Sequence, residues 1–152
     1  MKTIGFAGLG LMGKEMSKRL VDGGYTLKIW NRTPEKVKGL FDSSVEQCSS
    51  PKDLAEKSDV VITMVTNSAA SEEVSCGENG ILEGAHKELI LVDMSSIEPD
   101  TSRAIAEKAK EKGVPMLDAP VTGNPRVASE GRLGIMVGGP EDTFKECVPI
   151  FE

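Results

Sequence analysis

Cysteine is scarce in this chain and histidine scarcer. Cys48, Cys76 and Cys147 are odd in number and widely spaced, which argues against a disulfide framework and against the paired spacing of a metal site. Reduced thiols, a cytoplasmic setting and no metal are the expectation. The single histidine, His86, stands among Gly84, Ala85, Lys87 and Glu88 and reads as a solvated loop residue, not a catalytic base. No apolar run is long enough to cross a membrane, so no membrane partner is expected. The N-terminus enters a strand-like stretch directly, without a signal-peptide pattern. Basic residues are in the minority: the net charge of −6 argues against a nucleic-acid surface, which needs a basic patch. It leaves room for a local basic pocket that takes phosphate. Internal repeats, low-complexity segments and flexible linkers are also missing.

What is present fits one domain. A chain of 152 residues buries about 70% of its unfolded surface, enough for an independent core. With 39% hydrophobic and 28% charged residues, the composition is that of an ordinary globular protein.

The most informative stretch comes almost first. Thr3-Ile4-Gly5-Phe6-Ala7 is short and apolar, as a buried strand is. Gly8-Leu9-Gly10-Leu11-Met12-Gly13 follows, and its glycines have the G-x-G-x-x-G spacing of a dinucleotide-binding loop. Gly8 permits the tight turn, Gly10 lets backbone approach a pyrophosphate, and Gly13 lets helix pack against strand. Residues 14–21 continue as a helix, with Leu11, Met16 and Leu20 at helical spacing, and Gly23-Gly24 ends it. The free N–H groups and positive dipole end of that helix point at the phosphates. Gly8, Leu9, Gly10, Leu11, Met12 and Gly13 are therefore candidate cofactor contacts.

A second strand, Tyr25-Thr26-Leu27-Lys28-Ile29-Trp30, ends in Asn31-Arg32-Thr33-Pro34. In a dinucleotide fold this strand end meets the adenosine ribose, and an acidic residue there selects NAD. Here there is no carboxylate. Arg32 can pair with a 2′-phosphate and stack on the adenine, with Asn31 and Thr33 adding hydrogen bonds. A charge-assisted hydrogen bond contributes roughly 1.5–3 kcal/mol, so one arginine favours NADP over NAD by about 10- to 100-fold.

The rest alternates strand and helix. Residues 35–41 read as a short helix capped at Thr33, and residues 45–48 as a brief strand. Residues 50–56 open a helix with Ser50 as cap and Asp53 in the capping-box position. Residues 59–65 form a continuous β-branched run, as a parallel strand buried on both faces does. The polar turn Thr66-Asn67-Ser68 caps another helix. Loops at the carboxyl ends of parallel strands line the ligand crevice, which makes Val65 and Thr66 candidate contacts. Residues 77–84 read as loop plus one helical turn. Residues 88–93 form the next strand, and Ser95 and Ser96 beyond it can hydrogen-bond a nicotinamide ribose or a substrate carboxylate. A helix runs from about Pro99 to Lys112, with Lys108, Lys110 and Lys112 on a solvated face.

Residues 114–121 are strand-like but hold Pro115 and Pro120, which suits a sheet edge. Residues 122–126 read as a loop and residues 133–139 as a strand. The link between the last two strands is too short for a crossover helix, so they pair antiparallel. Pro140-Glu141-Asp142 opens a final helix. The expected fold is α/β: a Rossmann-type, doubly wound, mainly parallel sheet with an antiparallel addition near the C-terminus.

Four motifs together carry a resemblance: Gly8-Leu9-Gly10-Leu11-Met12-Gly13, Asp93-Met94-Ser95-Ser96, Asp118-Ala119-Pro120-Val121-Thr122-Gly123 and Met136-Val137-Gly138-Gly139. Over essentially its whole length the chain resembles the NAD(P)-binding half of the β-hydroxyacid dehydrogenase family. That family includes 3-hydroxyisobutyrate dehydrogenase and the glyoxylate/succinic semialdehyde reductases. Trp30-Asn31-Arg32-Thr33 is similar to the NADP-using reductase branch. The 6-phosphogluconate dehydrogenases are related, but Asp118-Ala119-Pro120 looks less like theirs.

The resemblance implies that Val65, Thr66, Ala70 and Ser96 contact the cofactor, Ser96 beside the nicotinamide. It implies that Thr122, Gly123 and Asn124, with Ser96, hold the carboxylate of a small substrate. Asn124 and Val127 stand where many members have glycine. The family's catalytic lysine, in a motif resembling G-x-x-x-K-x-x-x-N, has no match here, so no catalytic residue is expected in this chain and the lysine is expected beyond Glu152. The family's all-helical second domain, to which the resemblance assigns much of the dimer contact, is likewise expected to be missing from this chain. The chain reads as a truncated dehydrogenase whose full-length form is a homo-oligomer. The competing reading is a non-catalytic dinucleotide-binding or sensing module.

Overall fold

The computed structural model describes residues 1–152. Six parallel strands form one sheet in the order β3-β2-β1-β4-β5-β6, the order of a doubly wound dinucleotide fold. They are β1 (Thr3–Ala7), β2 (Thr26–Trp30), β3 (Glu46–Gln47), β4 (Val60–Thr63), β5 (Ile90–Asp93) and β6 (Met116–Asp118). Between and after them come α1 (Leu11–Asp22), α2 (Pro51–Glu56), α3 (Ser68–Cys76) and α4 (Pro99–Glu111). A two-stranded antiparallel ribbon, β7 (Val121–Thr122) with β8 (Gly134–Ile135), flanks α5 (Pro125–Ser129), and α6 (Glu141–Phe151) closes the chain.

Alternation along the strands builds two cores. Ile4 and Phe6 of β1, Val60 and Ile62 of β4, and Ile90 and Val92 of β5 pack with Met16 and Leu20 of α1, Ala128 of α5 and Cys147 of α6. The intervening residues Ala7, Val61 and Leu91 pack with Leu54 of α2, Val74 of α3 and Ile105 and Ala109 of α4. Every residue of β4 and β5 is buried, as expected of central parallel strands covered on both faces. The antiparallel addition forms as expected: Val121 pairs with Ile135, and an isolated antiparallel bridge joins Asp118 to Gly138.

Several local expectations need correction. Residues 35–41 do not form a helix. A single 3-10 turn covers Pro34–Val37, Thr33 gives it no side-chain cap, and Gly39 turns to φ +76°; Val37 alone is buried there, so nothing sustains further turns. The loop expected at residues 122–126 contains the start of α5, with Pro125 at its first turn and the Asn124 side chain accepting from Val127 N–H. β4 stops at Thr63, which leaves Val65 in the loop beyond it. Leu11 is 80% exposed, while Met16 and Leu20 are buried. His86 is not solvated: it is half-buried, and its Nε2 lies 3.2 Å from Ala55 O and 2.9 Å from Ser58 O, closing the end of α2. Ser50 caps α2 by accepting from Asp53 N–H. Asp53 reaches back to Ser49 N–H instead of the cap residue's own amide.

Candidate dinucleotide site

The carboxyl ends of β2, β1, β4, β5 and β6 open on one edge of the sheet, in that spatial order. The sequence-nominated residues lie along this edge in the same order. Arg32 follows β2, the glycine loop follows β1, Val65 and Thr66 follow β4, and Ser96 follows β5. Thr122, Gly123 and Asn124 come after β6, in and beyond β7. In open α/β sheets ligands bind in this crevice, where the strand order reverses.

The glycine loop shows why each glycine is there. Gly8 has φ +96°, and a Cβ on it would lie 2.2 Å from Met64 O; a Cβ on Gly13 would lie 2.0 Å from Gly8 O. Those two positions are closed to any side chain. Gly10 differs: a Cβ there would meet nothing within 4 Å. It faces open space at the mouth of α1. Gly10 is also the N-cap of α1 and supplies no side-chain cap, and the helix has no acidic residue in its first turn. The first amides of α1 thus keep their donors and positive dipole end for an outside anion. The open side of Gly10 and these uncapped amides fit a pyrophosphate.

Asn31 holds this loop in place. Its Oδ1 accepts from Leu9 N–H at 2.9 Å and its Nδ2 donates to Thr33 O at 3.0 Å. The side chain therefore joins the glycine loop to the end of β2, and both of its polar ends are engaged. Arg32 and Thr33 beside it are exposed, and Arg32 joins none of the chain's salt bridges or side-chain hydrogen bonds.

The loops after β4 and β5 are cross-tied. Ser95 is buried, and its Oγ accepts from Val65 N–H at 2.9 Å. That hydroxyl is occupied inside the protein, whereas Ser96 is exposed at the crevice. Ala70 N–H is taken by the Asn67 cap of α3 and its carbonyl lies within the helix, so Ala70 offers the crevice only its methyl group. Thr122 and Gly123 are exposed. Gly123 has φ +141°, and a Cβ on it would lie 2.6 Å from the Leu133 side chain. Asn124 is exposed, with Oδ1 committed to capping α5 at 3.0 Å from Val127 N and Nδ2 free.

Two acidic residues whose role does not follow from the sequence stand at the ends of β5 and β6. Asp93 and Asp118 are register partners on these strands. Asp93 is fully buried. Burial pushes the Asp118 carboxyl up, the charge of Asp93 adds to the effect, and the Ser102 hydroxyl opposes it. A carboxylate in an otherwise apolar strand was a readable signal; its partners were not. No group of histidine, cysteine and acidic side chains is arranged to hold a metal, and no helix is long and apolar enough to cross a membrane.

The chain is similar in sequence and fold to known proteins. A family model described as the NAD binding domain of 6-phosphogluconate dehydrogenase matches residues 3–152. The "Uncharacterized oxidoreductase YkwC" of Bacillus subtilis (strain 168) is 43% identical over 150 residues, covering 99% of this chain and 52% of that protein. Human "3-hydroxyisobutyrate dehydrogenase, mitochondrial" is 42% identical over 141 residues, covering 93% of this chain and 42% of that protein. Among solved structures, Mycobacterium tuberculosis 3-hydroxyisobutyrate dehydrogenase with L-serine superposes with a TM-score of 0.92 at 32% identity, over 100% of this chain and 51% of that one. The chain spans about half the length of the curated relatives it matches.

Proposed function

Because the chain belongs to the family of 6-phosphogluconate dehydrogenase NAD-binding domains, and 3-hydroxyisobutyrate dehydrogenases are among its relatives, we propose that it is the NADP-binding domain of an oxidoreductase. The enzyme would transfer hydride between NADP(H) and a small 3-hydroxy acid or aldehyde acid, of the 3-hydroxyisobutyrate, glyoxylate or succinic semialdehyde class. When bound, the dinucleotide supplies or takes a hydride at nicotinamide C4.

This chain's own residues bind and orient. The amides of Leu11, Met12 and Gly13 take the pyrophosphate, with Gly10 leaving space for it. Arg32 takes the 2′-phosphate, with Thr33 beside it, and Asn31 holds the loop that presents both. Val65, Thr66 and Ala70 line the middle of the crevice. Ser96, Thr122, Gly123 and the free Nδ2 of Asn124 take the substrate carboxylate and so turn the carbonyl carbon toward the cofactor. The accompanying proton is assigned to a lysine outside these 152 residues, in a helical domain that also carries the subunit contact. This chain alone is expected to bind dinucleotide and turn over little.

The observation that carries the cofactor choice is Arg32, exposed and without an acidic partner at the end of β2, where an NAD-selective site has a carboxylate. Fluorescence titration of the chain with NADPH and with NADH tests it. The expected result is tighter NADPH binding that falls about 10- to 100-fold in Arg32→Ala, with NADH little changed. Equal binding of the two, or an equal loss of both in the variant, overturns the NADP assignment. Binding of neither overturns the dinucleotide reading for this chain.

A further inference from the structure

We propose that Asp93 is a positioning residue that ties the loops after β4 and β5 into one rigid seat for the nicotinamide end of the dinucleotide. The inference rests on the dinucleotide reading above and adds to it a residue that lies beneath the crevice surface.

Asp93 ends a strand whose other residues are Ile90, Leu91 and Val92, all buried. A carboxylate in such a place is costly unless its oxygens are satisfied. They are, and each partner belongs to a different part of the crevice wall. Oδ1 accepts from Ser95 N–H at 2.9 Å, in the loop after β5. Oδ2 accepts from the hydroxyl of Ser71, on the second turn of α3. Ser95 in turn accepts from Val65 N–H, in the loop after β4. The bonds close a ring from Val65 through Ser95 and Asp93 to Ser71, and α3 leads back along the chain to Val65. Ser71, Asp93 and Ser95 are each at most 1% exposed, so water does not compete for these bonds. A further bond, from Glu98 N–H to Ser68 Oγ at 2.9 Å, joins the same two loops nearer the surface.

Val65 is itself a member of this ring, and Thr66 and Ser96 each lie one residue from it in sequence. Left separate, the two loops would each have to be ordered when ligand binds, and that ordering weakens binding. Tied, they present a preformed surface. Arg32 and the glycine loop are held by a different set of bonds, those of Asn31. Loosening the Asp93 ring should therefore weaken contacts to the nicotinamide half and spare the adenosine half.

That division is the test. Ser95→Ala and Asp93→Ala are compared with the unaltered chain for binding of NADPH and of adenosine 2′,5′-bisphosphate, the latter by displacement of NADPH fluorescence. If the unaltered chain prefers NADH, ADP replaces the bisphosphate. The expected result for Ser95→Ala is a roughly tenfold loss of dinucleotide affinity, a larger loss for Asp93→Ala, and adenosine-half binding unchanged in both. Equal losses for both probes would make the ring a general structural feature, and no loss for either would make it irrelevant; each overturns the proposal. Should Asp93→Ala fail to fold, Ser71→Ala decides in its place by the same comparison of the two probes, since it removes one of the two bonds to the carboxylate and leaves the Ser95–Val65 bond in place. An unaltered chain that binds neither dinucleotide nor adenosine half overturns the underlying dinucleotide reading, whereas one that binds both but shows no split in the variants overturns the role of Asp93 only.

Discussion

Replacing Gly10 and Gly8 by alanine, one at a time, separates the two tasks of the glycine loop. A methyl on Gly10 enters open space, with no atom within 4 Å. The backbone there, at φ −73° and ψ −160°, suits alanine. The fold should change by no more than about 1 kcal/mol, from a slightly poorer N-cap set against reduced freedom of the unfolded chain. In the proposed reading the methyl nevertheless stands where the pyrophosphate would come against the amides of α1. Losing one or two charge-assisted hydrogen bonds amounts to about 2–4 kcal/mol, or roughly 30- to 1000-fold in dinucleotide affinity. Gly8→Ala is the reverse case. Its methyl would lie 2.2 Å from Met64 O at φ +96°. Left-handed backbone and overpacking together destabilise by about 2–5 kcal/mol, a Tm lowered by roughly 5–20 °C in a domain of this size. Thermal unfolding and NADPH fluorescence on the two variants give both readouts. Gly10→Ala binding as well as the unaltered chain would refute the placement of the pyrophosphate. Gly10→Ala unfolding as early as Gly8→Ala would refute the claim that the space beside it is free.

Three further outcomes follow from the polar and thiol groups. Charged Asp118 is penalised in the fold at neutral pH, so Asp118→Asn should raise Tm there, and the gain should fade as pH falls through the raised folded pKa toward the ordinary carboxylate value, where the native carboxyl is protonated too. A Tm difference that grows toward acid pH would contradict this. Burial pushes the Cys48 and Cys147 thiols up to about 11, so at pH 8 a disulfide reagent should modify half-buried Cys76 first and reach the other two only on unfolding; rapid labelling of all three contradicts the packing. Ser50→Ala removes the acceptor for Asp53 N–H and should lower stability by about 1 kcal/mol, read as a Tm roughly 2–4 °C lower.

The parts legible from sequence are those where one residue type has a single physical use. The β-branched run at residues 59–65 marked a strand covered on both faces, because a parallel strand in that position buries such a run, and residues 88–93 were legible as the next strand. Gly8 and Gly13 were legible because no other residue fits. The antiparallel ribbon followed from the short link between its strands. The misses share a cause. Asn124-Pro125 is a cap followed by a first-turn proline, the same signal that correctly placed α2 at Ser50-Pro51, but α5 is too short for periodicity to reveal it. His86 was read from its polar neighbours in the chain, whereas its ring turns inward to carbonyls 28 and 31 residues away. Burial of that kind is decided by packing between distant segments and leaves no local trace.

The same limit explains how the candidate site divides its work. Asn31, Ser95 and Asn124 are polar residues in the crevice loops, and each reads equally well as a ligand contact or as a loop support. In the fold each accepts from a backbone N–H: Asn31 from Leu9, Ser95 from Val65, Asn124 from Val127. A side chain that anchors a loop holds the neighbouring amides at fixed positions, and those amides then serve as preorganised donors. Asn31 steadies the amides that precede α1, and Ser95 steadies the turn that carries Thr66. Replacing such a residue should therefore weaken binding through displaced backbone, even where the side chain touches no ligand. Arg32 is the opposite kind of residue, exposed and unengaged, and its replacement should act on one phosphate group and leave the loop as it is. A double replacement of Asn31 and Arg32 by alanine distinguishes the two modes. Loss of NADH affinity should track Asn31 alone, and the additional loss of NADPH affinity should track Arg32. NADH binding that depends on Arg32 as strongly as on Asn31 would show that the arginine also supports the loop, and the division would fail.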